Sequence, residues 1–368
     1  VIIAAGGTGG HLFPAEALAA ELVARGRRIA LMTDARSTAF ESHAFAAGER
    51  FVLQGSGLAG RGVVQALRGA TRLAAGTATA RRLLKRLDAA AVVGFGGYPS
   101  VPPVLAARLL PRRRRPFVVL HEQNAVLGRA NQLLARGADL LALAFPATKR
   151  VPAGVRSEIT GNPVRPALAA LAGQGFAAPG EAGAIRLLVT GGSLGARVFA
   201  DVVPPAIAAL PEALRARLLV AQQCRAEDLD RVRGAYAAAG VPAECAPFFP
   251  DIAVRLGAAH AVIARAGAST IAELACAGRP AILVPLPSAI DDHQTANARA
   301  LVEAGAARLM KQRDFEADAL TAQLRAWFEN PGSLAAAAAQ AAALAHPESA
   351  RLLADQVLAG IAAREGAR

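Results

Sequence analysis

The chain has 368 residues, 54% apolar and 19% charged, a balance that excludes a disordered polymer and is enough for two domains with separate cores. Forty-one Lys and Arg against 28 Asp and Glu give a net charge of +13, which favours anionic partners such as nucleic acid, acidic lipid or phosphorylated substrates. Cys224, Cys245 and Cys276 are odd in number, far apart and lack C-x-x-C spacing, which argues against a disulfide framework or structural zinc site and fits a reducing cytosol.

Taken in chain order, VIIAAGGTGGHLFPAEALAAELVARG reads as strand, Gly-rich loop and helix, and RRIALMTD supplies the next strand. Val1 already reads as strand, so the natural chain is expected to begin a few residues earlier. No charged-then-apolar signal segment opens the sequence, and no run approaches the ~18 apolar residues of a membrane span. From Arg61 to Arg86 a helical stretch places Val63, Leu67, Leu73 and Leu84 among Arg61, Arg68, Arg72, Arg81, Arg82 and Arg86. Such a surface can lie on anionic membrane, or can be an ordinary helix with a solvated basic face.

Further strand and helix units follow in AAVVGFGGYPSVPPVLAARLL and, after the basic tetrad Arg112 to Arg115, in PFVVLHEQN. ITGNPVRPAL carries two prolines and a glycine and reads as a linker. The same grammar then returns: RLLVTGGSLGARVFADVV, ARLLVAQQC, AHAVIARAGASTIAELACAG and PAILVPLP, before an Ala-rich helical tail. Alternating strands and helices predict parallel sheets covered on both faces, with ligands beyond the carboxyl ends of the strands. The expected division is 1–163, 164–342 and a last helix over 343–368 that crosses back to the first domain.

The loop Gly6 to His11 puts side-chain-free backbone before a helix start, where free N–H groups and the helix dipole suit a phosphate. Asp34, ending the next strand, raises a nicotinamide reading, but Leu12 occupies a position where that fingerprint needs Gly or Ala, and no G-K-[ST] follows any glycine loop. His11, at the helix start, is favoured there as a neutral, proton-accepting imidazole and so as a general base, or else serves as a capping or core residue. HEQN, His121 to Asn124, clusters polar groups at a strand end; Ala125 breaks the zinc-protease pattern H-E-x-x-H.

GGSLGA repeats the phosphate cradle, with Ser193 adding a hydroxyl donor, and Arg165 in NPVR offers a charge-assisted bond. Glu273, one turn inside the helix of RAGASTIAEL, can accept both hydroxyls of a ribose or simply partner the helix dipole. IDDHQTANA gathers Asp291, Asp292, His293, Gln294 and Asn297, suited to sugar hydroxyls, although an N-cap explains Asp291 or Asp292 as well. Aromatics are only 4% and none interleaves the Arg tetrad, so the stacking platform of a nucleic-acid binder is missing.

The ordered set GGTGGHLFPA, GFGGYPSVPP, HEQNAVLGRAN, GNPVR, GGSLGAR, RAGASTIAEL and DDHQTANA resembles the MurG family, the UDP-N-acetylglucosamine transferases that complete the lipid-linked disaccharide precursor of peptidoglycan. The resemblance covers nearly the whole chain and implies an α/β GT-B architecture, two Rossmann-like doubly wound parallel-sheet domains facing across a cleft. It implies an inverting transfer from UDP-N-acetylglucosamine to the 4-hydroxyl of undecaprenyl-diphospho-N-acetylmuramoyl-pentapeptide, without metal or cofactor.

By position, the resemblance places Ser193 at the diphosphate, Phe249 at the uracil through its backbone, Glu273 at the ribose behind Ala268, Ser269 and Thr270, and Gln294 at the sugar. Arg165 and Asn124 face the donor, Thr8, Gly9 and Gly10 form the loop nearest the acceptor diphosphate, and His11 is the candidate base with Glu122 as the alternative. Leu194 and His293 stand where relatives often carry Gln. The implied setting is peripheral, on an anionic membrane surface at the cytoplasmic face of the inner membrane, with no nucleic acid. A UDP-sugar 2-epimerase of the same architecture is the competing reading.

Overall fold

The computed structural model describes residues 1–37, 42–53, 63–192 and 195–366, the side chains of 63–66 excepted. Two compact units result, Val1–Arg165 with Glu348–Arg368, and Pro166–Pro347.

The first unit is built on seven strands: β1 (Ile2–Ala4), β2 (Ala30–Thr33), β3 (Glu49–Val52), β4 (Ala91–Gly94), β5 (Phe117–Glu122), β6 (Leu140–Leu143) and β7 (Ser157–Ile159). Their order is β3-β2-β1-β4-β5-β6-β7 and every pair is parallel. The central strands are apolar at consecutive positions because both faces are covered. Ile3, Leu31, Val93 and Val119 pack on one face with Leu12, Leu18 and Leu22 of the helix Gly9–Ala24, and with Leu353 and Val357 of the C-terminal helix Ser349–Gly366. Their neighbours Ile2, Met32, Val92 and Val118 pack on the other face with Leu84 of the helix Val63–Arg86 and Val104 of the helix Gly97–Arg108. The C-terminal helix is also tied by charge: Arg25 to Asp355 at 2.6 Å and Arg364 to Asp139 at 2.5 Å.

The second unit repeats the plan with β8 (Ile185–Thr190), β9 (Leu218–Gln223), β10 (Ala243–Ala246), β11 (Ala261–Ala264), β12 (Ala281–Leu283) and β13 (Ala307–Leu309), ordered β10-β9-β8-β11-β12-β13 and all parallel. Leu187, Val189, Val220 and Ile263 bury against Phe199, Tyr236, Leu324 and Phe328. In both sheets the strand order reverses beside the first strand, at β1/β4 and at β8/β11. Those switch points are where doubly wound sheets open a crevice, and the glycine loops follow β1, β4, β8 and β11.

One expectation needs correcting. The helix Val63–Arg86 forms, but Leu84 is 2% exposed and belongs to the core, so it does not belong to an outward apolar face, while Leu73 is partly buried. Arg61 lies outside the described residues.

Candidate functional site

In the first unit the loop after β1 turns through Gly7 at φ +88°, a left-handed conformation open to glycine. At Gly6 a Cβ would come within 2.9 Å of both Pro99 Cγ and Thr33 Oγ1, so only glycine lets this backbone pass. Asp34, weighed as a ribose ligand, is 5% exposed and instead supports the loop. Its carboxylate accepts from Ser37 Oγ at 2.9 Å and from Arg36 at 2.6 and 3.0 Å, while Ser37 Oγ accepts from Gly7 N at 2.8 Å. Thr8 is the N-cap residue, in extended conformation, and its carbonyl accepts from His11 N at 3.1 Å. Thr8 and Gly10 are exposed and Gly9 is half-buried, leaving the start of the helix open to a ligand.

His11 projects from the first turn into a buried polar chain. His11 Nδ1 is 3.0 Å from Gln123 Oε1, Gln123 Nε2 is 2.9 Å from His121 Nδ1, and His121 Nε2 is 3.0 Å from the Gly161 carbonyl oxygen. Gln123 and His121 are almost completely buried, and burial lowers the His121 pKa to about 4. Gly96 and Gly97, both at positive φ, pass over the His11 ring: added Cβ atoms would lie 3.5 Å from its Cε1 and 3.6 Å from its Nε2. Arg165 stacks its guanidinium 4.2 Å from the Phe13 ring centroid, on the same helix as His11.

Glu122 is 2% exposed, and its Oε1 accepts from Asn124 N at 3.0 Å and Asn124 Nδ2 at 3.1 Å. Its Oε2 accepts from Gly128 N at 2.8 Å and Asn131 Nδ2 at 2.9 Å. A carboxylate with four donors on it holds the turn after β5. Asn124 is half-buried in that turn.

In the second unit Ser193 and Leu194 lie outside the described residues. The loop before them is held by Gln223, whose Nε2 donates to the carbonyls of Gly192 and Pro247 at 3.0 Å each, and whose Oε1 accepts from Thr190 Oγ1 at 2.9 Å. Gln223 thus joins the cradle after β8 to the segment that delivers Phe249. Phe249 is 4% exposed, its ring lying beneath the Arg255 guanidinium, 4.0 Å from the ring centroid.

Ala268, Ser269 and Thr270 open the helix Ala268–Ala277, and the Ser269 hydroxyl is buried with no protein partner among the described residues. Ser269 and Glu273 are one turn apart on one face of this helix, and both are half-buried. Gln294 accepts from Leu286 N at 2.9 Å, which fixes its amide beside the loop after β12. Just before it, Asp291 and Asp292 hold φ of +55° and +50°, rare values for residues with a Cβ that concentrate at functional turns. Asp292 occupies the N-cap position but caps no backbone N–H; its carboxylate accepts from Thr295 Oγ1 at 2.7 Å.

The structure brings the two basic features of the sequence together. A groove of about 940 Å³ between the helices Val63–Arg86 and Gly97–Arg108 is lined by Ala70, Leu73, Ala74, Leu105 and Leu109, with Arg81, Arg108 and Arg115 at its edge. Leu67 and Leu109 are 66% and 62% exposed, and Arg112, Arg113 and Arg114 are exposed next to it. Among the described residues no helix is long and apolar enough to cross a membrane.

Sequence reasoning singled out HEQN without assigning Gln123, and it missed Gln223 altogether. The available signal was an amide at the end of a strand that reaches the ligand edge: Gln223 closes β9 and Gln123 directly follows β5.

Comparison with known proteins agrees with this layout. Residues 1–142 match the glycosyltransferase family 28 N-terminal domain and residues 186–356 its C-terminal domain. A Granulibacter bethesdensis protein is 60% identical over 97% of this chain and 92% of its own length, and one from Acidiphilium cryptum is 54% identical over 99% and 97%. Both are named UDP-N-acetylglucosamine--N-acetylmuramyl-(pentapeptide) pyrophosphoryl-undecaprenol N-acetylglucosamine transferase. The crystal structure of Acinetobacter baumannii MurG is 31% identical, covers 97% of this chain and 98% of that one, and superposes with a TM-score of 0.76. The calicheamicin glycosyltransferase CalG4, at 18% identity and a TM-score of 0.63, shares the fold. The two parallel sheets are those of the GT-B glycosyltransferases.

Proposed function

We propose that this chain, which belongs to glycosyltransferase family 28 and within it to the MurG family, transfers N-acetylglucosamine from UDP-N-acetylglucosamine to undecaprenyl-diphospho-N-acetylmuramoyl-pentapeptide in peptidoglycan synthesis. The observation that carries this reading is identity of 60% over 97% of the chain with a transferase named for that reaction. The competing 2-epimerase reading has no such support.

The acceptor 4-hydroxyl attacks the anomeric carbon of the donor sugar as UDP leaves, inverting the centre to a β-linkage. Charge builds on the sugar ring and on the departing diphosphate, so a base must take the hydroxyl proton while fixed donors hold the phosphates. His11, beside the open helix start at Thr8, Gly9 and Gly10, is the base. Arg165, Ser193 and the N–H groups after β8 serve the diphosphate. Ala268, Ser269 and Thr270 offer a second helix start to the nucleotide, with Glu273 on the ribose, the Phe249 backbone on the uracil, and Gln294 and Asn124 on the sugar. The Ser269 hydroxyl, buried with no hydrogen-bond partner among the described residues, leaves a donor free at this helix start, which supports this reading.

The polyprenyl tail of the acceptor stays in the bilayer, and the apolar groove with its arginines rests on anionic lipid at the cytoplasmic face of the plasma membrane. Nucleic acid is not a partner in this reading.

The test is transfer of labelled N-acetylglucosamine to a short-chain lipid-linked muramoyl-pentapeptide with EDTA present, comparing wild type with His11→Ala. Transfer by wild type and a loss of roughly 10²-fold or more in the variant are expected. Epimerised UDP-sugar without transfer would overturn the reading.

A further inference from the structure

The hydrogen bonds around His11 form a chain whose direction is fixed from its far end. The Gly161 carbonyl can only accept, so the 3.0 Å bond to His121 places that ring's proton on Nε2. Burial keeps the ring neutral, with its pKa lowered to about 4, so Nδ1 is an acceptor. Gln123 Nε2 points at this nitrogen at 2.9 Å and at the His121 carbonyl oxygen at 3.0 Å. Two acceptors on one side orient the amide, and its Oε1 must then face His11 Nδ1, 3.0 Å away. An amide oxygen only accepts, so His11 carries its proton on Nδ1 and its lone pair on Nε2.

We infer that Gln123 and His121 are positioning residues that set the His11 tautomer, leaving Nε2 as the nitrogen that takes the proton of the acceptor hydroxyl. The inference rests on His11 being the base and adds which nitrogen acts and what holds it there. In the step, the hydroxyl O–H bond breaks as Nε2–H forms, the new oxygen–carbon bond forms at the anomeric centre, and the bond to UDP breaks with its electron pair leaving on the diphosphate. The imidazolium then returns its proton to solvent.

A neutral amide suits this cycle. It holds the Nδ1–H in both charge states of the ring, whereas a carboxylate in its place would favour the charged ring and slow its deprotonation. The charged groups on the surrounding elements are engaged elsewhere. Glu122 accepts four hydrogen bonds in the turn after β5, Asp34 holds Arg36 and Ser37, and Arg165 lies over Phe13.

Nitrogen-15 NMR of the histidine-labelled full chain at neutral pH reads the tautomer directly, with the His11 signals assigned by their loss in His11→Gln. The expected wild-type result is a protonated Nδ1 and an unprotonated Nε2. In Gln123→Met, matched in length but without the amide, the His11 tautomers should mix and kcat should fall roughly 10- to 100-fold with the KM for UDP-N-acetylglucosamine within about twofold. Gln123→Glu keeps an acceptor for Nδ1–H but loses the amide donor to His121, so it should move the acid limb of the kcat/KM profile to higher pH at a lowered rate, a shift that a merely structural role would not produce. A wild-type His11 protonated on Nε2, or a Gln123→Met enzyme with unchanged tautomer and kcat, overturns the inference while the base assignment stands. Full activity in His11→Ala overturns both.

Discussion

The Phe117 ring fills the space that a side chain at Gly360 would occupy, so the C-terminal helix lies directly on β5 at that point. Alanine is ordinarily worth ~1 kcal/mol more than glycine inside a helix. Here a Cβ would overlap the Cε1, Cζ and Cδ1 atoms of a packed ring, and overpacking of that kind costs about 1–3 kcal/mol. The clash outweighs the propensity. Gly360→Ala should therefore lower the denaturant midpoint of the first unit, and Gly360→Val should lower it further. A higher midpoint for Gly360→Ala would show that the helix can lift from β5 at no cost.

His121 makes the first unit sensitive to mild acid. Its folded pKa of about 4 lies below the ordinary 6.5, so between these values the unfolded chain binds a proton that the folded chain does not. Stability contributed by the neutral ring is complete above pH 6.5 and is lost as pH falls toward 4, by about 3 kcal/mol in all. Urea midpoints should fall steeply over that window in wild type and less steeply in His121→Gln. Equal slopes would place the acid sensitivity elsewhere.

Glu122 is expected to act on stability and leave the proton chemistry alone. Glu122→Ala would remove the acceptor of four hydrogen bonds around the turn after β5, at a cost of roughly 3–5 kcal/mol. Glu122→Gln keeps one oxygen and should cost less. In the folded fraction of Glu122→Gln, the pH profile of transfer should keep the shape of wild type. A lost acid limb in that variant would return Glu122 to the catalytic step.

The reach of the sequence reading has a physical limit, and His11 and Gln123 mark it. The glycine loops and their strand–loop–helix units were legible because each is a local pattern of under 30 residues, and two sets of such units already imply two doubly wound sheets. The contact of His11 with Gln123 spans 112 positions, and it exists only because β1 and β5 end at the same edge of one sheet, on either side of β4. The surroundings of Glu122 were illegible for a related reason. A carboxylate at a strand end is open or buried according to where the next turn folds, and here Asn124, Gly128 and Asn131 close over it. Leu84 in an arginine-rich helix reads as surface by composition, yet the packing of that helix on the sheet turns it inward.

The membrane reading makes the last prediction, and it follows from two exposed leucines lying beside exposed arginines. Leu67 and Leu109 can enter the headgroup region only if the bilayer comes close, and Arg112, Arg113 and Arg114 draw it close when the lipid is anionic. Reversing all three arginines to glutamate should weaken binding to phosphatidylglycerol-containing vesicles by roughly 10²-fold or more. Leu67→Ser with Leu109→Ser should weaken it on neutral and anionic vesicles alike, because that contribution is apolar. Charge reversal of Arg68, Arg72, Arg82 and Arg86 should matter less, since Arg86 already pairs with Glu49 at 2.9 Å and lies over Phe51. Transfer to a water-soluble short-chain acceptor should be unchanged in every variant, since the groove holds no group assigned to the chemistry. Vesicle binding that survives both the arginine and the leucine changes would remove this face as the membrane contact.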